Sequence, residues 1–259
     1  RIILAKGLSK ASELVSDILM PTPSAVMKAI DLLANGCDSI SGIGELLAVD
    51  VGGATTDVYS VSDGHPKRPN TMVRGLSEPY IKRTVEGDIG MRYSIHGIVD
   101  ACGIEEVSTR AGMTPERAQI LVDKLSQNTE MLPSDEELAS LDEALAGLAV
   151  KTAVMRHAGK LEETYTIMGV SYIQTGKDLT AVENLVVTGG SLIHTQNTAK
   201  IASCALYDPL EPTSLRPQRA RILIDRKYII ASMGLLSEHY PEVALTIMKE
   251  ELIEDGLAK

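Results

Sequence analysis

The sequence predicts an α/β fold in which helices flank a mixed sheet. Two short apolar runs have the length of buried strands, and each ends in paired glycines: residues 46–51 before Gly52-Gly53 and residues 184–187 before Gly189-Gly190. Between them the apolar residues recur mostly at helical spacing, up to about residue 157. Strands that alternate with helices are typical of α/β proteins, so we expect one sheet and a helical insertion.

Two helices are predicted before the first strand. From Ser9 the apolar residues recur on one face until Pro21, which ends that helix. Thr22 is expected to cap a second helix, with Pro23 at its first position. The Asn-Gly pair at 35–36 is a typical helix end.

The next segments are predicted from their apolar periods and turn signals. Strands are expected at 46–51 and 54–61, closed by a turn at 63–64, and around 71–74. Helical spacing returns at 86–101 and 114–125, and Ser134 with Glu137 forms a capping box that opens a helix to His157. Further along we expect the following elements: a strand at 184–187, a helix at 199–206, a strand at 221–225, and helices at 228–236 and 243–252.

Composition excludes several classes of function. The 259 residues include 25 basic and 35 acidic side chains, a net charge of -10, without a dense basic cluster, which argues against a nucleic-acid partner. No apolar stretch approaches the roughly 20 residues of a membrane span, and we expect a cytoplasmic protein without membrane contact. Three widely separated cysteines form neither a zinc site nor a disulfide framework.

The segment from Asp50 to Asp57 has the composition of a phosphate loop. Glycines let the backbone approach a ligand closely, and consecutive N–H groups in a tight turn form an anion site. Two threonine hydroxyls add donors. We therefore expect phosphate to be bound by Gly52, Gly53, Ala54, Thr55, Thr56 and Asp57.

Asp50 is the predicted catalytic and metal-binding residue. At the end of its strand it would hold Mg²⁺ through water or orient an attacking water, as phosphoryl transfer requires. Asp88, beside Gly87 and Glu86, could complete that magnesium site. The alternatives are a plain β-hairpin for the glycine loop and a helix start for the acids around Gly87.

The loop resembles the second phosphate motif of the actin, Hsp70 and sugar-kinase ATPases, Asp-x-Gly-Gly-x-Thr-x-Asp. Five residues match it: Asp50, Gly52, Gly53, Thr55 and Asp57, while Ala54 stands where many members have glycine. The resemblance implies a ribonuclease-H-like lobe that binds ATP or ADP with Mg²⁺. In that superfamily a later strand ending in two glycines packs against adenosine, which here implies Gly189, Gly190 and Ser191. The alternative for this pair is an ordinary strand-to-helix turn.

Further segments resemble the MutL-type accessory protein of glutamate mutase: residues 20–23, 47–60, 83–94, 176–180, 188–190 and 225–228. The resemblance implies an ATP-driven reactivating chaperone for an adenosylcobalamin-dependent mutase, with the mutase subunits as partners. Members of that family also carry an amino-terminal lobe, so we expect this chain to be a carboxyl-terminal fragment that binds nucleotide without turnover, the ATPase activity belonging to the full-length protein. Which mutase is served stays open.

The predicted nucleotide-binding subdomain comprises residues 1–85 and 180–259, and residues 86–179 form a mainly helical insertion. Lys177 is expected at the surface or at a hinge, and the five histidines form no metal-ligand pair. Two other functions remain open. One is a small-molecule kinase of the same superfamily, and the other is a non-enzymatic, nucleotide-regulated scaffold.

Overall fold

A six-stranded mixed sheet forms the centre of the computed structural model, which describes residues 20–167 and 169–258. In spatial order its strands are β11 (Ile253–Ala258), β10 (Ala220–Ile224), β9 (Asn184–Thr188), β3 (Leu46–Val51), β4 (Thr56–Val61) and β6 (Ile81–Glu86). β3, β9 and β10 are parallel, and β4, β6 and β11 each run antiparallel to their neighbours. The predicted α/β class is confirmed, and the sheet is consistent with a ribonuclease-H-like lobe.

Helices cover both faces of this sheet. They are α1 (Thr22–Asn35), α2 (Ile95–Cys102), α3 (Ile104–Ala111), α4 (Pro115–Gln127), α5 (Glu136–His157), α6 (Gly190–Ile193), α7 (Thr198–Ala202), α8 (Ile230–Leu236) and α9 (Pro241–Glu251). One apolar cluster joins the sheet to α2 through α7, and the other joins it to α1, α8 and α9. Because β3 is buried on both faces, its sequence is almost continuously apolar.

Two smaller sheets complete the strands described. β1 (Gly36–Cys37) pairs with β2 (Ile40–Ser41), while β5 (Thr71–Arg74), β8 (Gly169–Thr175) and β7 (Lys160–Thr166) form a three-stranded sheet in that order. The strand expected at 71–74 therefore exists, but it pairs with β8 and not with the central sheet. The β7–β8 hairpin was not predicted, because its strands are partly exposed and rich in polar residues. The division at residues 86–179 stays a prediction.

Several predicted boundaries are wrong for local reasons. Residues 81–86 are an edge strand paired with β4, and the helix expected from 86 begins at Ile95. Thr22 is the first residue of α1 and does not cap it, since the cap position is Pro21. The long helix is capped by Asp135, whose carboxylate accepts the Leu138 N–H at 2.9 Å, and not by Ser134.

The carboxyl-terminal part also differs from expectation. The helix expected at 199–206 is shorter and continues as a 3₁₀ turn, Ser203–Ala205. Residues 253–258 form β11, an edge strand that sequence periodicity did not reveal. The helix expected from Ser9 lies outside the described residues. Within them, no helix combines the length and apolarity needed to cross a membrane.

Lys177 is buried, and the expectation of a surface or hinge position is wrong. Its ammonium group donates to the Ser60 hydroxyl at 3.2 Å and to the carbonyls of Pro79 and Tyr80 at 3.0 and 2.7 Å. The same Ser60 hydroxyl lies 2.8 Å from the Nε2 of buried His157. This network links β4 to the segment after β8, and burial lowers the pKa of Lys177 to about 8.

We predict that Lys177 makes stability depend on pH. Because its folded pKa of about 8 lies below the ordinary 10.5, the unfolded chain holds more protons between these values. The free energy of unfolding contributed by Lys177 therefore rises with pH across that window. Denaturant titrations of the wild type and Lys177→Met should show a difference in stability that grows in favour of the wild type from about pH 8 to about pH 10.5. Lys160→Met, at an exposed position, controls for the lost charge. A constant difference across this range would contradict the prediction.

Candidate functional site

The predicted site residues lie at the edge of the sheet where three parallel strands end. β3 and β9 are neighbours with Asp50 opposite Thr188, and the Asp225 N–H after β10 donates to the Val187 carbonyl at 3.0 Å. The carboxyl ends of neighbouring parallel strands are where open α/β sheets bind ligands. The fold thus brings the predicted phosphate loop and the predicted adenosine loop to the same edge.

The phosphate loop is a tight turn between β3 and β4. Its carbonyls accept hydrogen bonds from the backbone of residues 91–93. Within the turn the Gly52 N–H donates to the Thr55 carbonyl at 2.9 Å. The Gly52 carbonyl accepts the Met91 N–H at 3.0 Å, and the Gly53 carbonyl accepts the N–H groups of residues 92 and 93, both at 2.8 Å. Two successive peptide groups of the loop are therefore fixed in orientation.

This fixation directs the loop's N–H groups outward. In a trans peptide the C=O and N–H bonds point in opposite directions, and no cis peptide is found in the described residues. Since the carbonyls of Gly52 and Gly53 face residues 91–93, the N–H groups of Gly53 and Ala54 face the other way. In the part of the chain that the structure describes, these two groups and the Thr55 N–H have no acceptor. Consecutive free N–H groups form a concave site for an anion.

The local structure favours glycine at position 52 but does not require it at position 53. A Cβ on Gly52 would lie 3.0 Å from the Thr55 carbonyl, so the turn itself favours glycine. A Cβ on Gly53 would meet nothing closer than 3.8 Å, and that residue is exposed. The fold therefore does not need glycine at position 53, whereas a ligand that approaches the backbone there would.

The polar side chains of the loop have separate contacts. The Thr56 hydroxyl is buried and donates to the Ile89 carbonyl at 3.0 Å, so the expectation that it donates to phosphate does not fit its contacts. The Thr55 hydroxyl lies 3.4 Å from a carboxylate oxygen of Asp57. Asp57 forms an ion pair with Arg83 at 2.6 Å, which favours a structural role for this acid beside the loop.

Asp50 is a largely buried acid beside two others. No donor within the described ranges reaches its carboxylate, whereas Asp225 accepts the N–H groups of Ile229 and Ile230 at 2.9 and 3.2 Å. Burial, followed by the charges of Asp57 and Asp225, raises the pKa of Asp50 to about 6. A carboxylate left without internal donors at a ligand-binding edge is suited to a water or hydrated cation, and the predicted role of Asp50 stays open to test.

The contacts of Asp88 do not fit the predicted role in a magnesium site. Arg156 binds both acids of that segment, with its Nη1 at 2.7 Å from Asp88 and 2.8 Å from Glu86. This guanidinium holds the pKa of Asp88 below its usual range and already supplies the positive charge. Across residues 20–167 and 169–258, no group of three or more His, Cys, Asp or Glu side chains is arranged to hold a metal. The alternative of a helix start is also wrong, because Glu86 is the last residue of β6 and the next helix begins only at Ile95.

The two glycines after β9 differ in the same way as the two glycines of the phosphate loop. Gly189 has φ 103°, and a Cβ there would overlap the backbone of Val51, so close packing against β3 requires glycine. Gly190 is exposed, and a Cβ would have nothing within 4 Å. Ser191 is half-buried in α6. Gly190 is therefore the position of the pair that is open to a ligand, and the adenosine assignment stays a prediction.

The predicted site is distinct from a cavity in the helical layer. A cavity of about 360 Å³ lies elsewhere, among α3, α5 and α7, and its lining residues include Arg110, Glu143, Lys200 and Cys204. None of the predicted site residues lines it.

Sequence reasoning missed two features of this edge. Asp225 was placed in a predicted strand and in a resembling segment but not in the site. It stands at the end of a short apolar run, as Asp50 does, and that shared pattern could have revealed it. Residues 91–93, which hold the loop carbonyls, carry no local signal, since their contribution is made by backbone N–H groups.

We predict that Asp50→Asn stabilises the fold at neutral pH. The folded pKa of about 6 exceeds the ordinary 3.8, so the folded chain holds the extra proton between these values, and the stability contributed by Asp50 is lost as pH rises through that window. Thermal unfolding at pH 7 should show the variant more stable by on the order of 2 kcal/mol, a gain that disappears near pH 4. Asp57→Asn, which breaks the pair with Arg83, should instead reduce stability. A destabilised Asp50→Asn would contradict this account.

Comparison with known proteins identifies the family of this chain. The family described as MutL protein matches residues 1–252. The curated Protein MutL of Clostridium tetanomorphum is 43% identical over 254 residues, which cover 98% of this chain and 55% of that protein. This chain thus spans about half the length of that relative. On both grounds, the chain belongs to the MutL protein family.

Proposed function

We propose that this chain is the nucleotide-binding lobe of an accessory ATPase and that its loop at residues 52–55 binds the phosphates of ATP or ADP. The observation that carries the proposal is the set of three consecutive N–H groups, of Gly53, Ala54 and Thr55, which have no acceptor among the described residues, the first two of them pointing away from the supporting backbone. Phosphate oxygens are the acceptors that such a turn favours. The glycine at 53, which the fold does not require, supports the same assignment.

The other residues of the edge have roles that follow from their positions. Asp50, partly buried near the end of β3, would hold Mg²⁺ through water. When bound with the nucleotide, that ion would neutralise charge on the phosphates. The exposed Gly190, on the neighbouring strand end, would leave room for adenosine.

Turnover requires more than these residues provide. Phosphoryl transfer depends on positively charged groups around the transferred phosphate as well as on an oriented water. The cations described near this edge have other partners, since Arg83 pairs with Asp57 and Arg156 pairs with Glu86 and Asp88. The relative is nearly twice as long as this chain, and we infer that its remaining half supplies the missing groups.

The partner follows from the family and not from the site alone. The resemblance to the accessory protein of glutamate mutase supports a role in reactivating an adenosylcobalamin-dependent mutase. Removal of a damaged cofactor from a tight site costs free energy, and a nucleotide cycle is a suitable source for it. We therefore propose a reactivating chaperone whose nucleotide site lies in this chain.

We predict that ADP binds this chain with Mg²⁺ and that Gly53→Val abolishes binding. The valine side chain would occupy the space in front of the outward N–H groups, while the nearest atom to its Cβ lies 3.8 Å away, so folding should be unaffected. Isothermal titration calorimetry gives the dissociation constants, and thermal unfolding tests the fold.

The matched control is Gly87→Val. Gly87 is exposed, lies in a turn near the same edge and has nothing within 4 Å of its Cβ position. This variant should bind ADP as the wild type does. Equal binding by Gly53→Val and the wild type would place the nucleotide elsewhere and contradict the proposal.

We also predict that this chain does not hydrolyse ATP, whereas the full-length protein does and restores activity to a cofactor-inactivated mutase. Asp50→Asn in the full-length protein should remove both effects, because the amide carries no charge for a hydrated cation. Phosphate release and mutase activity are the two measurements. Steady-state hydrolysis by this chain, or reactivation that needs no nucleotide, would contradict the proposal.

A further inference from the structure

Residues 89–93 support the phosphate loop from below, and we call them the support segment. Its backbone N–H groups hold the carbonyls of Gly52 and Gly53, and the Ile89 carbonyl accepts the Thr56 hydroxyl. A Cβ on Gly90 would overlap the backbone of Ala54, so the two chains are in direct contact there. The direction of the loop's N–H groups therefore depends on where this segment lies.

One side chain fixes the support segment to the helical layer. The guanidinium of Arg92 makes a two-pronged ion pair with Asp142 in α5, at 3.0 Å from Nη1 and 2.7 Å from Nη2. Nε and Nη2 also donate to the Met131 carbonyl at 3.2 and 3.1 Å, and Nη1 donates to the Met91 carbonyl at 2.7 Å. The side chain is 11% exposed. Every nitrogen of the guanidinium thus has a partner, and its position is determined from three sides.

We propose that Arg92 is a positioning residue of the phosphate site, and that its bond to Asp142 sets the direction in which the loop's N–H groups point. The proposal rests on the proposed function. Arg92 does not face the ligand, because its guanidinium is turned toward α5 and Met131. It acts through its own backbone N–H, which holds the Gly53 carbonyl at 2.8 Å.

One peptide group connects the Arg92 backbone to the proposed anion site. The Gly53 carbonyl and the Ala54 N–H belong to the same planar unit, so a rotation of the first turns the second by the same angle. Hydrogen bonds to a charged acceptor weaken steeply when they are misaligned. A support segment released from Asp142 would let that unit rotate, and the loop would lose affinity for phosphate before it lost its fold.

Arginine is specifically required for this role. Lysine keeps the positive charge but offers one ammonium group, which cannot reach both carboxylate oxygens and the Met131 carbonyl in a planar fork. Arg92→Lys should therefore retain the buried charge pair and lose the fixed geometry.

The test compares ADP with adenosine in this chain by amide chemical-shift titration, which measures dissociation constants up to the millimolar range. For Arg92→Lys we expect the dissociation constant of Mg·ADP to rise about tenfold, as the loss of well-aligned bonds to a charged group implies. The constant for adenosine, which touches the β9 end of the site, should stay unchanged. A general structural defect would weaken both ligands alike.

The chain offers a matched control in Arg117→Lys. Arg117 makes an equally two-pronged pair with Glu137, at 2.8 and 2.6 Å between α4 and α5, and has no described contact with the phosphate loop. This variant should bind Mg·ADP as the wild type does. If Arg92→Lys does not fold, Asp142→Asn gives the same comparison, with Glu137→Gln as its control.

The outcomes are distinct. A selective loss of Mg·ADP affinity in Arg92→Lys supports the positioning role. If Arg92→Lys weakens adenosine binding equally, or if Arg117→Lys also weakens Mg·ADP binding, the positioning role of Arg92 is overturned. The proposal that the loop binds nucleotide is then unaffected. Absence of ADP binding in the wild type, or unchanged binding in Gly53→Val, overturns the proposed function and this inference together.

Discussion

The site depends on the hydrogen bonds that the backbone of residues 91–93 donates to the carbonyls of Gly52 and Gly53. Three N–H groups of residues 91–93 turn these carbonyls inward, and the planar peptide then turns the N–H groups of Gly53 and Ala54 outward. Glycine at 53 leaves these N–H groups uncovered by a side chain. The strand that leads into the loop, β3, is rigid because it is buried on both faces. The N–H groups of Gly53 and Ala54 are thereby fixed in direction, which suits them to bind an anion.

The sheet brings a second glycine turn to the same edge as the phosphate loop. Because β3 and β9 are parallel neighbours, the loop after β3 and the glycine pair after β9 must emerge at one edge. Gly189 lets the two strand ends pack closely; Asp50 is near the end of β3, and the buried Asp225 follows β10, on the other side of β9. A raised pKa of Asp50 is the electrostatic consequence, and it is typical of groups whose placement is set by function and not by stability.

Sequence reasoning reached the features that local chemistry encodes. Apolar runs mark the strands at 46–51 and 184–188, and turn residues mark the glycine loop. These signals can be recognised without knowing any distant partner. Edge strands β6 and β11 were missed, since an edge strand alternates weakly and is defined by its pairing. Contacts with residues far along the chain determine the partners of Asp88 and Thr56 and the burial of Lys177. No local sequence pattern predicts such contacts.

The most direct test of the account is to observe the loop amides themselves. Backbone ¹H–¹⁵N spectra of this chain, titrated with Mg·ADP, report which N–H groups acquire an acceptor. The account predicts the largest downfield shifts at Gly53, Ala54 and Thr55, with smaller changes at Gly190. Unchanged loop amides, with shifts confined to the cavity among α3, α5 and α7, would contradict the central claim that this turn binds phosphate.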